Sequence, residues 1–412
     1  MTARFRAKHR MTQSLSSARV RTPSLRSFLE LDLLDNRYPA LHGMRVLGIV
    51  SVVQWHATQI LRVYNGLPMS QSATGTSLAI FFGMDMFFVL SGFLIGSILL
   101  RSIDTSGSQH VRRFYLRRVF RTFPSYYLVL TFLVVTTALT ANQRHNLPFE
   151  YTYLTNYRSN HPKDVVMPWG WSLALEEQFY LAVPVLFFTL QRIEGDAGRL
   201  AVLIALWSST FFTRLALYLH PFGLGSGAVF VDMYIRTHTR CDTLVAGIIL
   251  AYVHNRWSVP IARWLESPRS RAMLALPSLG CLWILMHPLL FGDKAIYIVQ
   301  VFSWGTLTSL MYFGWVLLIL HGGDGWVRRA LSVSVFRRIA TLGYGVYLVH
   351  IPICYALTLP LARALVQQAD WPMAIVWPVS LFSLLAASLA VSYVLHVLVE
   401  KPSLRLRDRL AR

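Results

Sequence analysis

The chain has 412 residues, 54% of them hydrophobic and 14% charged, with a mean hydropathy of +0.46. That is too apolar for a soluble fold and implies an all-α, polytopic transmembrane bundle. The net charge of +20 would point to nucleic acid in a soluble chain, but in a membrane chain anionic lipid headgroups account for it, so no nucleic-acid partner is read.

Residues 1–37 carry eight Lys or Arg among Ser and Thr, which fits a disordered basic tail, and no signal-peptide apolar run precedes the first span. Ten hydrophobic segments follow, at 41–63, 78–100, 122–141, 171–190, 200–219, 241–254, 272–291, 295–320, 341–363 and 373–399, the sixth being short. Alternating them with both termini in the cytoplasm places 29 of the 39 Lys and Arg on the cytoplasmic side, a positive-inside pattern. The domain division is therefore a tail over 1–37, a membrane domain over 38–402 and a second basic cytoplasmic tail over 403–412. The outward loops 64–77, 142–170 and 220–239 hold few charges and suit a lid or groove for a polar, uncharged ligand. Cys241, Cys281 and Cys354 lie in or beside apolar spans without paired spacing, so neither a disulfide framework nor a metal site is expected.

The first span, LHGMRVLGIVSVVQWHATQILRV, contains Arg45 near one end and His56 well inside. Three helical turns separate them, so they share a face, roughly 16 Å apart along the axis. Ionisable groups in a span are costly, and a cation near the membrane surface with a titratable base deeper in is a functional pattern, although a membrane histidine also serves simply to cap a carbonyl. In the second span Asp85 has no lysine or arginine within reach on its own helix, and pairing across helices or a structural hydrogen bond is expected. Gly83, Gly92 and Gly96 there permit close helix approach.

Arg113, Arg117, Arg118 and Arg121 crowd the cytoplasmic mouth of the third span, where guanidinium forks grip either lipid phosphates or those of a ligand. The fourth span opens PWGWSLALEEQFYLAVP; Trp169 and Trp171 read as interfacial anchors, and helical rise puts Glu176 at about the depth of His56. A carboxylate and an imidazole at one level form the orienting pair that general-base catalysis needs, while a glutamate near the interface is also able to snorkel. Arg240 and Asp242, flanking Cys241, read as a structural ion pair. His350, in the ninth span, is placed to bond Asp85 or a main-chain carbonyl, and Glu400 to make a salt bridge.

Taken together and in this order, these stretches resemble the acyltransferase-3 family of integral-membrane O-acyltransferases, from about Tyr38 to Pro402. The motifs that carry the resemblance are Arg45 with His56; Gly83, Asp85, Phe87, Phe88, Ser91, Gly92 and Phe93; Arg117, Arg118, Arg121 and Pro124; Trp171, Ser172, Leu173, Glu176, Phe179 and Tyr180; and Glu400 with Pro402. Two positions depart from the pattern: His42 stands near a usual acidic residue, and Gly343 precedes Tyr344 where the family has Ser-Tyr. Some relatives carry a soluble esterase-like domain after the membrane part. Its absence here leads to the expectation that transfer is completed in the membrane domain or handed to another protein.

The resemblance implies a multi-pass enzyme of the bacterial inner membrane that O-acylates a cell-envelope glycan, glycolipid or related acceptor. No permanently bound cofactor is implied; the implied donor is acetyl-CoA or another acyl-CoA, with Arg117, Arg118 and Arg121 on its phosphates. His56 is then the general base, Glu176 its orienting carboxylate and Arg45 the third member of the catalytic set. Asp85, Trp171, Ser172, Tyr180, Arg240, Asp242 and His350 support substrate or structure. The competing classes are a proton-coupled transporter or flippase of a glycan or lipid precursor, which does not need the arginine cluster, and a non-catalytic scaffold. Nothing in the sequence fixes the oligomeric state.

Overall fold

The computed structural model describes residues 29–69, 74, 80–103, 108–158, 162–220, 226–286 and 304–410. Among them there are helices and no strands: α1 Pro39–Thr58, α2 Gly83–Ile103, α3 Ser108–Thr136, α4 Ala141–Tyr151, α5 Trp171–Gln191, α6 Asp196–Leu219, α7 Ser226–Ile235, α8 Asp242–Trp264, α9 Pro268–Met286, α10 Thr306–His321, α11 Ser334–Ile353, α12 Met373–Leu395 and α13 Lys401–Leu410. Wider π-helical turns extend α1 to Tyr64, link α11 through Cys354–Thr358 to Leu359–Gln367, and join α12 to α13. Such turns shift the side-chain register of a helix part-way along its length.

Seven of these helical stretches are long and apolar enough to cross a membrane: Pro39–Tyr64, Gly83–Leu100, Val111–Thr136, Pro168–Gln191, Asp196–Leu219, Ser334–Gln367 and Met373–Leu410. This is a multi-pass membrane architecture. Thr306–His321 is a shorter apolar helix. The short sixth segment of the sequence reading lies in α8, which continues to Trp264 through a break in helical geometry at Trp257. Parts of the seventh and eighth segments, 287–291 and 295–303, fall outside the described residues.

Burial sorts the helices. α2 is the central one, with 78% of its apolar window covered, whereas α6 and α12 have only 17% and 22% covered and present Phe212, Phe382 and Val394 outward. Outward apolar side chains are what lipid requires. α2 and α8 pack backbone to backbone: a Cβ on Gly92 would lie 2.0 Å from the carbonyl oxygen of Leu244, and one on Gly247 would lie 2.2 Å from that of Val89. Only glycine fits at that distance.

Both ends of the described chain are fastened to the bundle. Residues 1–28 lie outside the described set, but from Leu29 onward the chain is tied to the bundle. Lys401 Nζ donates to the Glu30 carbonyl at 2.5 Å, Arg337 Nε to that of Leu34 at 2.7 Å, and the amide of Leu34 meets Thr341 Oγ1 at 3.3 Å. The C-terminal stretch 403–410 is helical, and Ser403 Oγ reaches the Phe120 carbonyl at 2.8 Å. Main-chain acceptors satisfied by charged and hydroxyl groups hold both segments down.

Candidate active site

A cavity of about 530 Å³ opens among α1, α2, α3, α5 and α11. That size is in the range of small-molecule and cofactor sites. One end is basic: Arg37, Arg45, Arg117, Arg118, Arg121 and Arg407 line it. Arg117 and Arg121 are one turn apart on α3, which brings both to the same wall. The lining runs along α1 from Leu41 to Val53, on α5 from Tyr180 to Ser172, and on α11 from Ala340 to Tyr347.

Glu176 sits in the wall of this cavity. Ser91 Oγ donates to its Oε1 at 2.5 Å, and the Tyr180 hydroxyl, one turn along α5, donates to the same oxygen. Ser91 and Tyr180 also meet each other at 2.6 Å, and the Arg118 guanidinium lies 4.9 Å from the centre of the Tyr180 ring. The carboxylate is therefore held by two hydroxyls, with a cation over one of their rings.

His56 has a different partner from the one read in the sequence. Its Nδ1 lies 3.0 Å from Nε2 of His350, not against Glu176. The other ring nitrogen of His350, Nδ1, faces the carbonyl oxygens of Tyr347 at 2.8 Å and Val346 at 3.2 Å. A carbonyl only accepts, so the proton of neutral His350 is on Nδ1 and its Nε2 is an acceptor. In the neutral ring His56 then donates from Nδ1 to His350, with the Val52 carbonyl one turn back on α1 as a further acceptor beside the ring, and carries its lone pair on Nε2. His350 is fully buried while His56 keeps partial exposure. His56 stands three residues beyond Val53 on α1, and His350 three beyond Tyr347 on α11. The imidazole pair thus lies about one turn past the end of the cavity remote from the arginines. At that end Tyr347 and Ser172 meet hydroxyl to hydroxyl at 2.5 Å, and the Tyr347 hydroxyl also reaches the Trp169 carbonyl at 2.8 Å.

Residues 38–397 match the acyltransferase domain of the acyltransferase-3 family. The chain belongs to that family. It is 27% identical over 350 residues to the peptidoglycan O-acetyltransferase OatA of Listeria monocytogenes, an alignment covering 81% of this chain and 51% of that protein. A putative O-acetyltransferase of Staphylococcus aureus is 27% identical over 329 residues, covering 76% and 50%. The putative peptidoglycan O-acetyltransferase YrhL of Bacillus subtilis is 29% identical over 343 residues, covering 77% and 49%. The chain spans about half the length of these curated relatives. No solved structure matches it.

Around the cavity of this acyltransferase-3 chain, other residues read from the sequence fall into place with changed partners. Asp85 pairs across helices with Arg240 at 2.6 Å, and Asp242 pairs with Arg214 at 2.8 Å, all four nearly or fully buried. Arg240 and Asp242 are thus charged anchors in two crossed pairs rather than partners of one another, because Arg240 ends the short helix Thr237–Arg240 and Asp242 begins α8, which aims them at different neighbours. Arg240 also donates to the Trp304 carbonyl at 3.0 Å. Trp169 is only 4% exposed, with its ring 6.4 Å from that of His350, so it is an interior residue and not an interfacial anchor. The short helical turn Pro168–Gly170, whose carbonyl at Trp169 accepts from both Ser172 and Tyr347, draws it inward. Trp171 packs on Tyr234 at 4.9 Å and Phe88 at 6.2 Å. Glu400 accepts from His396 at 2.8 Å. Sequence reasoning missed the cavity residues Tyr38, Tyr344 and Tyr347. For Tyr347 a signal exists, since it precedes His350 by one turn and shares its face.

Proposed function

We propose that the chain is a membrane O-acetyltransferase that moves an acetyl group from acetyl-CoA to a hydroxyl of a cell-wall glycan. The observation that carries this reading is the His56–His350 pair, set about one turn past a 530 Å³ cavity whose opposite end is lined with arginines. The relatives' names supply the acetyl group and the peptidoglycan acceptor. In this reading the donor's phosphates lie against Arg117, Arg118 and Arg121 on the cytoplasmic side, and its thioester arm extends past Arg45 and Glu176 towards Ser172 and Tyr347.

His56 Nε2 takes the proton of the acceptor hydroxyl as its oxygen attacks the thioester carbonyl. The C–S bond breaks as the new C–O ester bond forms, and the imidazolium returns its proton to the departing thiolate. His350 holds the tautomer that leaves Nε2 free and keeps its hydrogen bond when His56 becomes charged. Arginines at one end and a poised base at the other match the two halves of the reaction. Purified protein in nanodiscs, supplied with labelled acetyl-CoA and soluble peptidoglycan fragments, should yield O-acetylated glycan detected by mass spectrometry. Absence of label from every glycan fraction, with donor bound, would overturn the acceptor assignment.

A further inference from the structure

The first turn of α1 contains a polar group that the reaction above does not use. His42 lines the basic end of the cavity and is only 4% exposed. Among the described residues the one acceptor that acts on the ring is the Asp35 main-chain carbonyl, in a contact outside good hydrogen-bonding geometry, and neither ring nitrogen has a well-formed partner. A buried imidazole always carries at least one N–H, and leaving it unmatched is costly. The charges around it are mainly positive: Arg45 stands one turn further along α1, and Arg45 and Arg337 both act on it electrostatically, against Asp35 alone.

The helix end itself points the same way. α1 begins at Pro39 after Tyr38, whose side chain does not cap it, and its first turn has no acidic residue. Leu34, Arg37, Tyr38, Leu41 and Arg45 all line the cavity beside His42. An uncapped N-terminus offers main-chain amides and the positive end of the helix dipole to an anion. Pro39 has no N–H and the Leu41 amide already donates to the Tyr38 carbonyl at 3.1 Å, so the weakly held His42 ring is the group of this turn that gains most from an arriving acceptor oxygen.

We propose that the first turn of α1 is a phosphate-binding site in which His42 donates a hydrogen bond to a phosphoryl oxygen of the soluble ligand seated in the cavity. This deepens the donor reading and rests on it for the ligand's identity. His42 and Arg45 on α1 line the same cavity as Arg117 and Arg121 on α3, and Arg45 lies within electrostatic reach of Arg121, so a diphosphate has cations on two walls and the imidazole beside one of them. His42 stands where the resemblance leads one to expect an acidic residue, which would repel such a group.

The test measures equilibrium binding of CoA, of pyrophosphate and of pantethine to the full chain in phosphatidylcholine nanodiscs. His42→Ala should weaken CoA and pyrophosphate about 10-fold and leave pantethine unchanged. His42→Asn and His42→Gln place an amide near Nδ1 and Nε2 respectively, so one of them should restore most of the affinity. If His42→Ala fails to fold, that pair decides, since a phosphate contact requires one to bind better than the other. Equal binding of pyrophosphate by wild type and every folded variant overturns the proposal, as does wild type that binds no pyrophosphate. Pyrophosphate binding that disappears only in phosphatidylglycerol nanodiscs assigns the site to lipid headgroups and also overturns it. His42-dependent pyrophosphate binding without any binding of CoA upholds the phosphate site and refutes acetyl-CoA as the donor.

Discussion

His56 Nδ1 lies 3.0 Å from His350 Nε2, and His350 is in turn tied by Nδ1 to the main chain of its own helix. A histidine orients a histidine, with the peptide backbone as the final fixed point. His350→Phe removes the acceptor, lets the wrong tautomer of His56 form and leaves imidazolium unsupported. We expect kcat to fall by about 10²- to 10⁴-fold with donor KM little changed. His350→Gln should recover part of the loss, because its side-chain carbonyl is able to accept from His56 Nδ1. A double His56→Gln, His350→Phe variant should be no worse than His56→Gln alone, since the second residue acts through the first. Additive losses in that cycle would separate the two histidines.

The arginines at the other end should act on donor affinity rather than on turnover. Arg118 is the most informative, because its guanidinium also lies over the Tyr180 ring whose hydroxyl holds Glu176. Arg121→Ala should raise the KM for acetyl-CoA by about 10- to 100-fold, the equivalent of about 1.5–3 kcal/mol for a lost charge-assisted contact. Lysine at position 121 should restore only part of it. Arg118→Ala should raise KM and lower kcat together. Unchanged donor KM in both alanine variants would return the cluster to lipid anchoring.

The sequence shows a membrane helical bundle directly, because twenty-residue apolar runs have no other stable home. Charge inside or beside a span is rare and expensive, which singles out Arg45, Arg117, Arg121 and Glu176 one by one, and the cavity lining is what brings them together. The partner of His56 was not legible. Helical depth points to Glu176 and assigns His350 to Asp85 or a main-chain carbonyl, and only the packing of α11 against α1 brings His350 to His56. Likewise, adjacency along the chain made Arg240 and Asp242 look like one ion pair. On a helix end, neighbours in sequence point apart, and each found its counter-charge on another element.

Outside the spans, Glu150 on α4 holds the segment leading into α5. Its two carboxylate oxygens accept from the amides of Val166 and Met167, each at 2.8 Å. Burial pushes its carboxyl above the usual range, and those two amides pull it part of the way back. A raised folded-state value means that the native protein holds the proton more tightly than the unfolded chain. Stability from this group is therefore complete below the reference value of 4.5 and declines as pH rises towards the folded-state value. Glu150→Gln abolishes that dependence and, with one acceptor oxygen for two amides, loses one bond. The thermal stability of wild type relative to Glu150→Gln should thus be greatest at acid pH and shrink on the way to neutrality. A difference that is flat with pH would mean that the carboxyl ionises equally in both states.

The crossed ion pairs make the sharpest prediction about the scaffold. Asp85 and Arg240 are both fully buried, 2.6 Å apart, on α2 and on the turn that precedes α8. Removing one partner strands the other charge in a low-dielectric interior, which typically costs about 3–5 kcal/mol. Asp85→Leu or Arg240→Met alone should therefore lower thermal stability in nanodiscs severely, and Arg240→Met more so, because the Trp304 carbonyl, which also accepts from Thr308 Oγ1 at 2.5 Å, then loses one of its donors. The double substitution removes both charges together and should recover most of the stability, since a well-packed apolar pair of similar volume is often as stable as the ion pair it replaces. Activity separates structure from catalysis. If the pair is purely an anchor, the double variant regains transfer along with its fold. A stable double variant with kcat still depressed by 10²-fold or more would instead place one of these charges in the chemistry.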